Sequence, residues 1–345
     1  MHPAVHTCRI PFLSILLLAF ITFSARAAEQ LPVFILAGQS NMEGKAKVVL
    51  LEHQIQAPET KALFAHLHEN GKFVERDDVF IKFLDRHGKL TVGYGSRNCV
   101  GPELEFGNTV GDHFDEPVLI IKTAWGGKSL FRDFRPPSAG DPPAELFTAE
   151  LERYRKRDPN FSEADLHELY GKYYREMIAE VKATLAQRDE LFPELAGRTP
   201  ELAGFVWFQG WNDMINADYT AAYAEIMAHF IRDVRKDLDA PKLPFVIGQL
   251  GVGGDKDNEN AKKQTFKTAQ AAAAELPEFA GNVAVVKTDQ YWDWEAQAVF
   301  DKGWKQNLEA WNRVGSDYPY HYLGSHKCYG RIGKAFGEAI LRLQK

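Results

Sequence analysis

Five runs of consecutive apolar residues punctuate the chain: Val33–Leu36, Val118–Ile121, Phe205–Phe208, Phe245–Ile247 and Val283–Val286. They do not alternate with polar residues, which predicts strands covered on both faces, as in a parallel sheet. Between the runs the apolar period changes to three or four. Tyr173, Met177, Val181 and Leu185 predict one helix, and Tyr219, Tyr223, Ile226, Phe230, Val234 and Leu238 a longer one. Ile332, Phe336, Ile340 and Leu343 predict a closing helix over Gly330–Leu343. Strand, long connection, strand, repeated, gives an α/β fold with helices on both faces of the sheet. The segment Phe131–Ser162 carries Pro136, Pro137, Pro142, Pro143 and Pro159 among many charges, and reads as an irregular insertion beside the cleft. Leu250–Asn260 reads as a loop. No linker divides the chain, so residues 28–345 read as one domain.

Open parallel sheets bind ligands beyond the carboxyl ends of their strands. The first run leads into Gly38, Gln39, Ser40 and Asn41, and the second into Trp125, Gly126, Gly127 and Lys128. The third leads into Gln209, Gly210, Trp211, Asn212 and Asp213. A serine at a strand-to-helix turn is placed for nucleophilic attack once a base takes its proton, though serine also caps helices. Gly126-Gly127 can bring a backbone N–H close to a developing oxyanion, or simply form a turn. Asn212 can offer its amide to the same oxyanion, or cap a helix. Histidine is the expected base. His321, among aromatics just before the closing helix, is the first choice and His326 its rival.

Composition narrows the partners. The chain has 345 residues, 45% hydrophobic and 26% charged, with a net charge of −6. That balance argues against nucleic acid or an anionic membrane surface. At the N-terminus, Arg9 is followed by an apolar run Ile10–Phe23 and then Ala25-Arg26-Ala27, which reads as a signal peptide over residues 1–27. An uncleaved anchor is the other reading. Export predicts a secreted or periplasmic protein with no membrane contact after cleavage. Cys99 and Cys328 would remain, either as one disulfide or as two separate thiols. No His/Cys cluster has metal-ligand spacing, and no cofactor is expected.

"AGQSNMEG" (Ala37–Gly44), "WGGKS" (Trp125–Ser129), "GWND" (Gly210–Asp213) and "HYLGS" (His321–Ser325) resemble, in order, the four blocks of the SGNH/GDSL hydrolase superfamily. The "GQSNM" form, with "GPELEFG" (Gly101–Gly107), is similar to its sialate O-acetylesterase and acetylxylan esterase group. The resemblance implies a three-layer α/β/α sandwich on a five-stranded parallel sheet, the flavodoxin-like arrangement. It also implies a serine esterase that removes O-acetyl groups from saccharides through an acyl-enzyme. Ser40 would be the nucleophile and His321 the base. Ser40, Gly126 or Gly127, and Asn212 would form the oxyanion hole. Gln39, Trp125, Gln209 and Trp211 would face substrate, with Trp292 and Trp294 either stacking on sugar rings or buried in the core. The chain departs from the pattern in two places. The superfamily usually has Asp three residues before the histidine, where this chain has Tyr318, so the acid is Asp317, Asp293, Asp289 or absent. Relatives often have an acidic residue where Trp211 stands, so Gln209 could share the amide role of Asn212. A non-catalytic glycan-binding protein, or an esterase acting on lipid or other small esters, are the alternatives. Which acetylated glycan would be the substrate is not readable.

Overall fold

All five apolar runs are strands in the computed structural model, which describes residues 1–2, 29–256 and 260–344. The expected signal peptide, apart from its first two residues, lies outside the described residues, as do residues 257–259 of the expected Leu250–Asn260 loop. The sheet has seven strands rather than five: β1 (Gln30–Gly38), β2 (Val79–Phe83), β3 (Arg86–Lys89), β4 (Val118–Ala124), β5 (Thr199–Phe208), β6 (Phe245–Gln249) and β7 (Val283–Lys287). Their order is β7-β6-β5-β1-β4-β2-β3. Every pairing is parallel except β2 with β3, which form an antiparallel hairpin at one edge. The two extra strands escape the apolar-run pattern for physical reasons. In β2, Lys82 interrupts a short run and turns its ammonium to Glu180 and to the Leu84 carbonyl. As an edge strand, β3 has only one neighbour and carries Arg86, His87, Gly88 and Lys89.

The helices used below are α1 (Ser40–Glu43), α2 (Glu103–Gly111), α3 (Lys172–Ala186), α4 (Trp211–Met214), α5 (Ala217–Asp237), α6 (Ala261–Ala272) and α7 (His326–Leu343). On one face of the sheet, Phe106 of α2 meets Phe34 edge-on at 5.5 Å and Phe336 of α7 meets Phe208 at 5.3 Å. On the other, Phe230 of α5 packs on Phe205 and Trp207, with ring centroids 6.0 and 4.4 Å away. Tyr174 of α3 closes the same cluster, 5.7 Å from Phe230. Alternate residues of β5 thus serve opposite layers, which is why its sequence is apolar without alternation.

Two boundaries differ from expectation. The insertion is not wholly irregular, since Ala144–Arg155 is a helix that starts directly after Pro142-Pro143. Proline is compatible with a helix start and blocks only an interior. The closing helix begins at His326 rather than Gly330, because the Ser325 side chain accepts from Cys328 N and caps it. Cys99 and Cys328 are both buried free thiols. Among the described residues no helix is long and apolar enough to cross a membrane.

Candidate active site

β1 is the central strand, flanked by β5 and β4, so the chain visits first one side of it and then the other. That reversal opens a crevice at the carboxyl ends of these three strands. A side chain at Gly38 would place its Cβ 2.2 Å from the Phe208 carbonyl oxygen, so glycine is what lets the tips of β1 and β5 meet. Ser40 follows at the start of α1, where a helix leaves its first N–H groups unpaired. The Ser40 hydroxyl, 7% exposed as a residue, has no hydrogen-bond partner among the described residues and opens on the crevice.

His321 lies in the segment Pro319–Gly324, whose backbone is forced. Tyr322 and Leu323 take φ of +50° and +61°, left-handed values that cost side-chain-bearing residues roughly 1–2 kcal/mol each. Tyr322 holds the turn by burying its ring completely. Its Oη accepts from Gly251 N at 2.8 Å and contacts Thr288 Oγ1 at 2.6 Å. Since Thr288 donates its own proton to the Gln249 carbonyl (2.6 Å), Tyr322 donates to Thr288. Leu323 O accepts from Ser316 N and Asp317 N, at 2.8 and 3.1 Å, which folds Asp317 back toward His321. His321 Nδ1 lies 3.1 Å from Asp317 Oδ1. An Nδ1–H donated there leaves Nε2 as the proton acceptor.

A polar clamp joins this turn to the serine. Asn41 Nδ2 donates to Tyr320 O at 3.2 Å, and Tyr329 Oη donates to Asn41 Oδ1, also at 3.2 Å. Tyr329 Oη is also 3.2 Å from His321 O. The other candidates point elsewhere. Asp293 caps the helix Trp294–Asp301 through Ala296 N and accepts from Ser325 Oγ at 2.6 Å. Asp289 pairs with Lys267 at 2.7 Å. His326 is buried in α7 and donates from Nε2 to the Lys47 carbonyl at 2.8 Å; burial pushes its pKa down to about 4.

From β4 and β5 come the remaining groups. Gly127 has φ of +73°, which favours glycine, and a Cβ at Gly126 would lie 3.8 Å from that of Ser40. Asn212, in α4, has no hydrogen-bond partner among the described residues and faces the cleft. The helix-cap role belongs instead to Asn216, which accepts from Asp218 N and Tyr219 N at 2.9 and 3.2 Å. Asp213 is fully buried and accepts from Leu130 N and Phe131 N, both at 2.9 Å, and from Gln209 Nε2. It thereby ties the glycine turn after β4 to the asparagine turn after β5. Burial raises its pKa to about 7 against the pull of those three donors.

Ser40, Gly126, Gly127, Trp211, Asn212 and His321 thus line one cleft of about 320 Å³, with Lys45 and Tyr320, which the sequence did not single out. Three residues expected to face substrate are not among those that line this cleft. Gln39 and Gln209 are buried beneath the cleft. There Gln209 Nε2 bonds Lys128 O (3.0 Å) and Gln39 Oε1 (3.4 Å), and its Oε1 accepts from Tyr223 Oη (3.1 Å). With its amide so committed, Gln209 does not share the role of Asn212. Trp125 is half-buried and packs against Phe134 and Tyr173, with ring centroids 6.0 and 5.3 Å away.

Residues 30–298 match the family described as "SASA: Carbohydrate esterase, sialic acid-specific acetylesterase". The chain belongs to this carbohydrate esterase family. A curated Arabidopsis thaliana protein, named as a probable carbohydrate esterase, is 25% identical over 227 residues, which is 64% of this chain and 70% of that one. An X-ray structure of an Arabidopsis thaliana protein superposes with a TM-score of 0.51 at 16% identity, covering 91% of this chain and 98% of the other; it shares the fold. A carbohydrate acetylesterase of Xanthomonas citri gives a TM-score of 0.44 at 16% identity, over 74% of this chain and 49% of its own. The family match includes Ser40, Gly126, Gly127 and Asn212 and stops before Asp317 and His321.

In this esterase Glu103 of the "GPELEFG" segment braces the end of α1 through Lys122. Glu103 Oε2 accepts from Lys122 Nζ at 2.7 Å, and both side chains are fully buried. Lys122 Nζ also donates to Glu43 O (2.9 Å) and Tyr94 O (2.7 Å), while Glu103 Oε1 accepts from Gly101 N (2.8 Å). The end of the serine-bearing helix α1 therefore rests on a buried ion pair. Desolvation lowers the Lys122 pKa, opposed by the Glu103 carboxylate.

Proposed function

We propose that this chain is a serine esterase that removes O-acetyl groups from carbohydrates through an acetyl-enzyme. The observation that carries the reading is the convergence on one cleft of Ser40, the His321–Asp317 pair and the unpartnered amide of Asn212. In the first half-reaction Ser40 Oγ attacks the acetyl carbonyl carbon as His321 Nε2 takes its proton. The carbonyl oxygen becomes an oxyanion, held by Asn212 Nδ2 and by backbone N–H groups of Ser40 and of Gly126 or Gly127. Collapse breaks the bond to the sugar oxygen, which leaves with the proton from His321. In the second, His321 deprotonates water, which attacks the acetyl-enzyme, and acetate and Ser40 are released. Asp317 keeps the imidazole in the required tautomer throughout. In free enzymes the bond between such a serine and its base is often long or poorly aligned and tightens with substrate.

The site favours this reading over a glycan-binding protein without activity, since binding alone does not require an imidazole–carboxylate pair beside a free serine. Lys45, Asn212 and His321 stand beside the Trp211 and Tyr320 rings in the cleft, so the acyl-chain series below is what separates an acetylesterase from a lipid esterase. The N-terminal pattern Arg9, Ile10–Phe23 and Ala25-Arg26-Ala27 supports export to a secreted or periplasmic location. The test is acetate release from a panel of O-acetylated glycans by protein lacking residues 1–27, with p-nitrophenyl acetate, butyrate and octanoate as controls. Acetyl esters should be preferred, and a serine-directed phosphonate should label wild type but not Ser40→Ala. Labelling that persists in Ser40→Ala, or a preference for octanoate, overturns the assignment.

A further inference from the structure

Next to the catalytic cleft lies a second groove of about 420 Å³ that shares Trp211 and Tyr320 with it as common walls. Trp294, Tyr318, Gln297 and Asp301 also line it, with Lys263 and with Lys256, whose ammonium lies 4.1 Å from the centre of the Trp294 ring. Two features set it apart from ordinary surface. The first is its exposed aromatic ledge. Tyr318 and Tyr320, on the turn that carries His321, are 42% and 36% exposed, among the few large hydrophobic side chains of the described residues left so open. Their rings stack 5.4 Å apart at 5°, and Trp211 continues the ledge 5.6 Å from Tyr320. Trp304 braces Tyr318 edge-on at 5.9 Å, so the ledge is held in place by packing beneath it. Aromatic surface left in water beside a reactive site gains nothing for folding and marks a binding surface.

The second feature is polar. Gln297 Nε2 donates to Asp301 Oδ1 at 2.7 Å, and both residues line the groove. A pyranose has an apolar face of C–H bonds, slightly positive, and a rim of hydroxyls. The C–H face suits an aromatic π-face, and the rim suits planar acceptors. A fatty chain would have no use for the Gln297–Asp301 pair, nor for Lys256 and Lys263, which line the same groove. The groove is continuous with the site of ester cleavage, so one ligand can occupy both.

We propose that this groove binds the sugar units adjoining the acetylated one, so that the substrate of this esterase is an acetylated oligosaccharide or polysaccharide chain rather than a free monosaccharide. The proposal rests on the carbohydrate reading above and adds direction to it. The acetylated unit sits at Ser40, and the chain runs over Trp211 and Tyr320 toward Trp294.

The test compares wild type with Trp294→Ala and, because Trp294 is half-buried, with the exposed-ring variant Tyr318→Ala. Substrates are p-nitrophenyl acetate and O-acetylated xylose, mannose and sialic acid, each as monosaccharide and as a series of lengthening oligosaccharides. For a backbone that is hydrolysed, kcat/KM should rise about fivefold to tenfold from monosaccharide to trisaccharide, the worth of one or two stacked rings. Either truncation should remove the rise by raising KM, while hydrolysis of p-nitrophenyl acetate stays unchanged. Hydrolysis of saccharides with no dependence on length overturns the groove alone. So does a truncation that lowers the rate on p-nitrophenyl acetate in parallel. Hydrolysis of p-nitrophenyl acetate with none of any saccharide overturns the carbohydrate reading and the groove together.

Discussion

Asn212 and Asn216 stand in neighbouring turns after the same strand, and either could be a helix cap by residue type alone. The backbone separates them. α4 ends after a single turn, and the chain restarts as α5 at Ala217, so the two orphan N–H groups that need a side-chain acceptor are presented to Asn216. Asn212 is left with its amide in the cleft. Asn212→Ala should therefore lower kcat about a hundredfold to a thousandfold with little change in KM. Its melting temperature should stay at the wild-type value. Asn216→Ala should do the reverse, losing about 1 kcal/mol of stability while keeping kcat. Kinetics and thermal melts on the two variants decide it, and a destabilised but active Asn212→Ala would make Asn212 structural. The sequence exposes Ser40, Asn212 and His321 because each follows an apolar run or precedes the last helix. Asp317 is legible because it is near His321 in the chain. The Asn41 clamp is not legible, since its partner Tyr320 lies 279 positions away and nothing local to Asn41 calls for an amide.

At the scale of elements, the turn Pro319–Gly324 and helix α7 divide two histidines between two kinds of work. The apolar period places the helix start at Gly330, which leaves His326 in the loop as a rival base. The Ser325 cap is what moves the start forward, and a lone serine before a histidine gives no periodic signal of it. Inside the helix, His326 meets the edge of Phe64 and gives its Nε2–H to Lys47 O. Its folded pKa of about 4 lies below the ordinary 6.5. The unfolded chain therefore binds a proton below pH 6.5 that the folded one refuses. The stability His326 contributes is present above that pH and is lost as pH falls toward 4, by about 2–3 kcal/mol. His326→Gln, which can still donate to Lys47 O, should show a shallower fall of melting temperature between pH 6.5 and 4 and should keep its esterase activity. An unchanged slope would place the acid-sensitive group elsewhere. Loss of activity with an intact fold would return His326 to the site.

For the whole molecule, the apolar-run pattern finds the middle of the sheet and loses what carries charge inside it. β2 is hidden by Lys82. β4 reads as ending at Ile121 but continues through Lys122 to Ala124, because a fully buried ammonium looks in sequence like a strand end. The charge is tolerated because Glu103 of α2 meets it across the layer boundary, and neither residue announces the other. Removing one member should cost far more than removing both. Lys122→Met leaves a buried carboxylate unpaired, which destabilises by about 3–5 kcal/mol, whereas exchanging both partners for apolar residues of similar volume is often close to neutral. Lys122 has a further task that the ion pair alone does not require, since its Nζ also holds the carbonyl of Glu43 at the end of the serine helix. The double variant Lys122→Met with Glu103→Leu should then recover much of the melting temperature lost in Lys122→Met and still turn over slowly, because α1 has lost its tether. A double variant as unstable as the single one would mean the pair is not coupled. One that recovers stability and full kcat together would mean the ammonium supports the fold only, and that the placement of Ser40 depends on Gly38 and the Asn41 clamp without it.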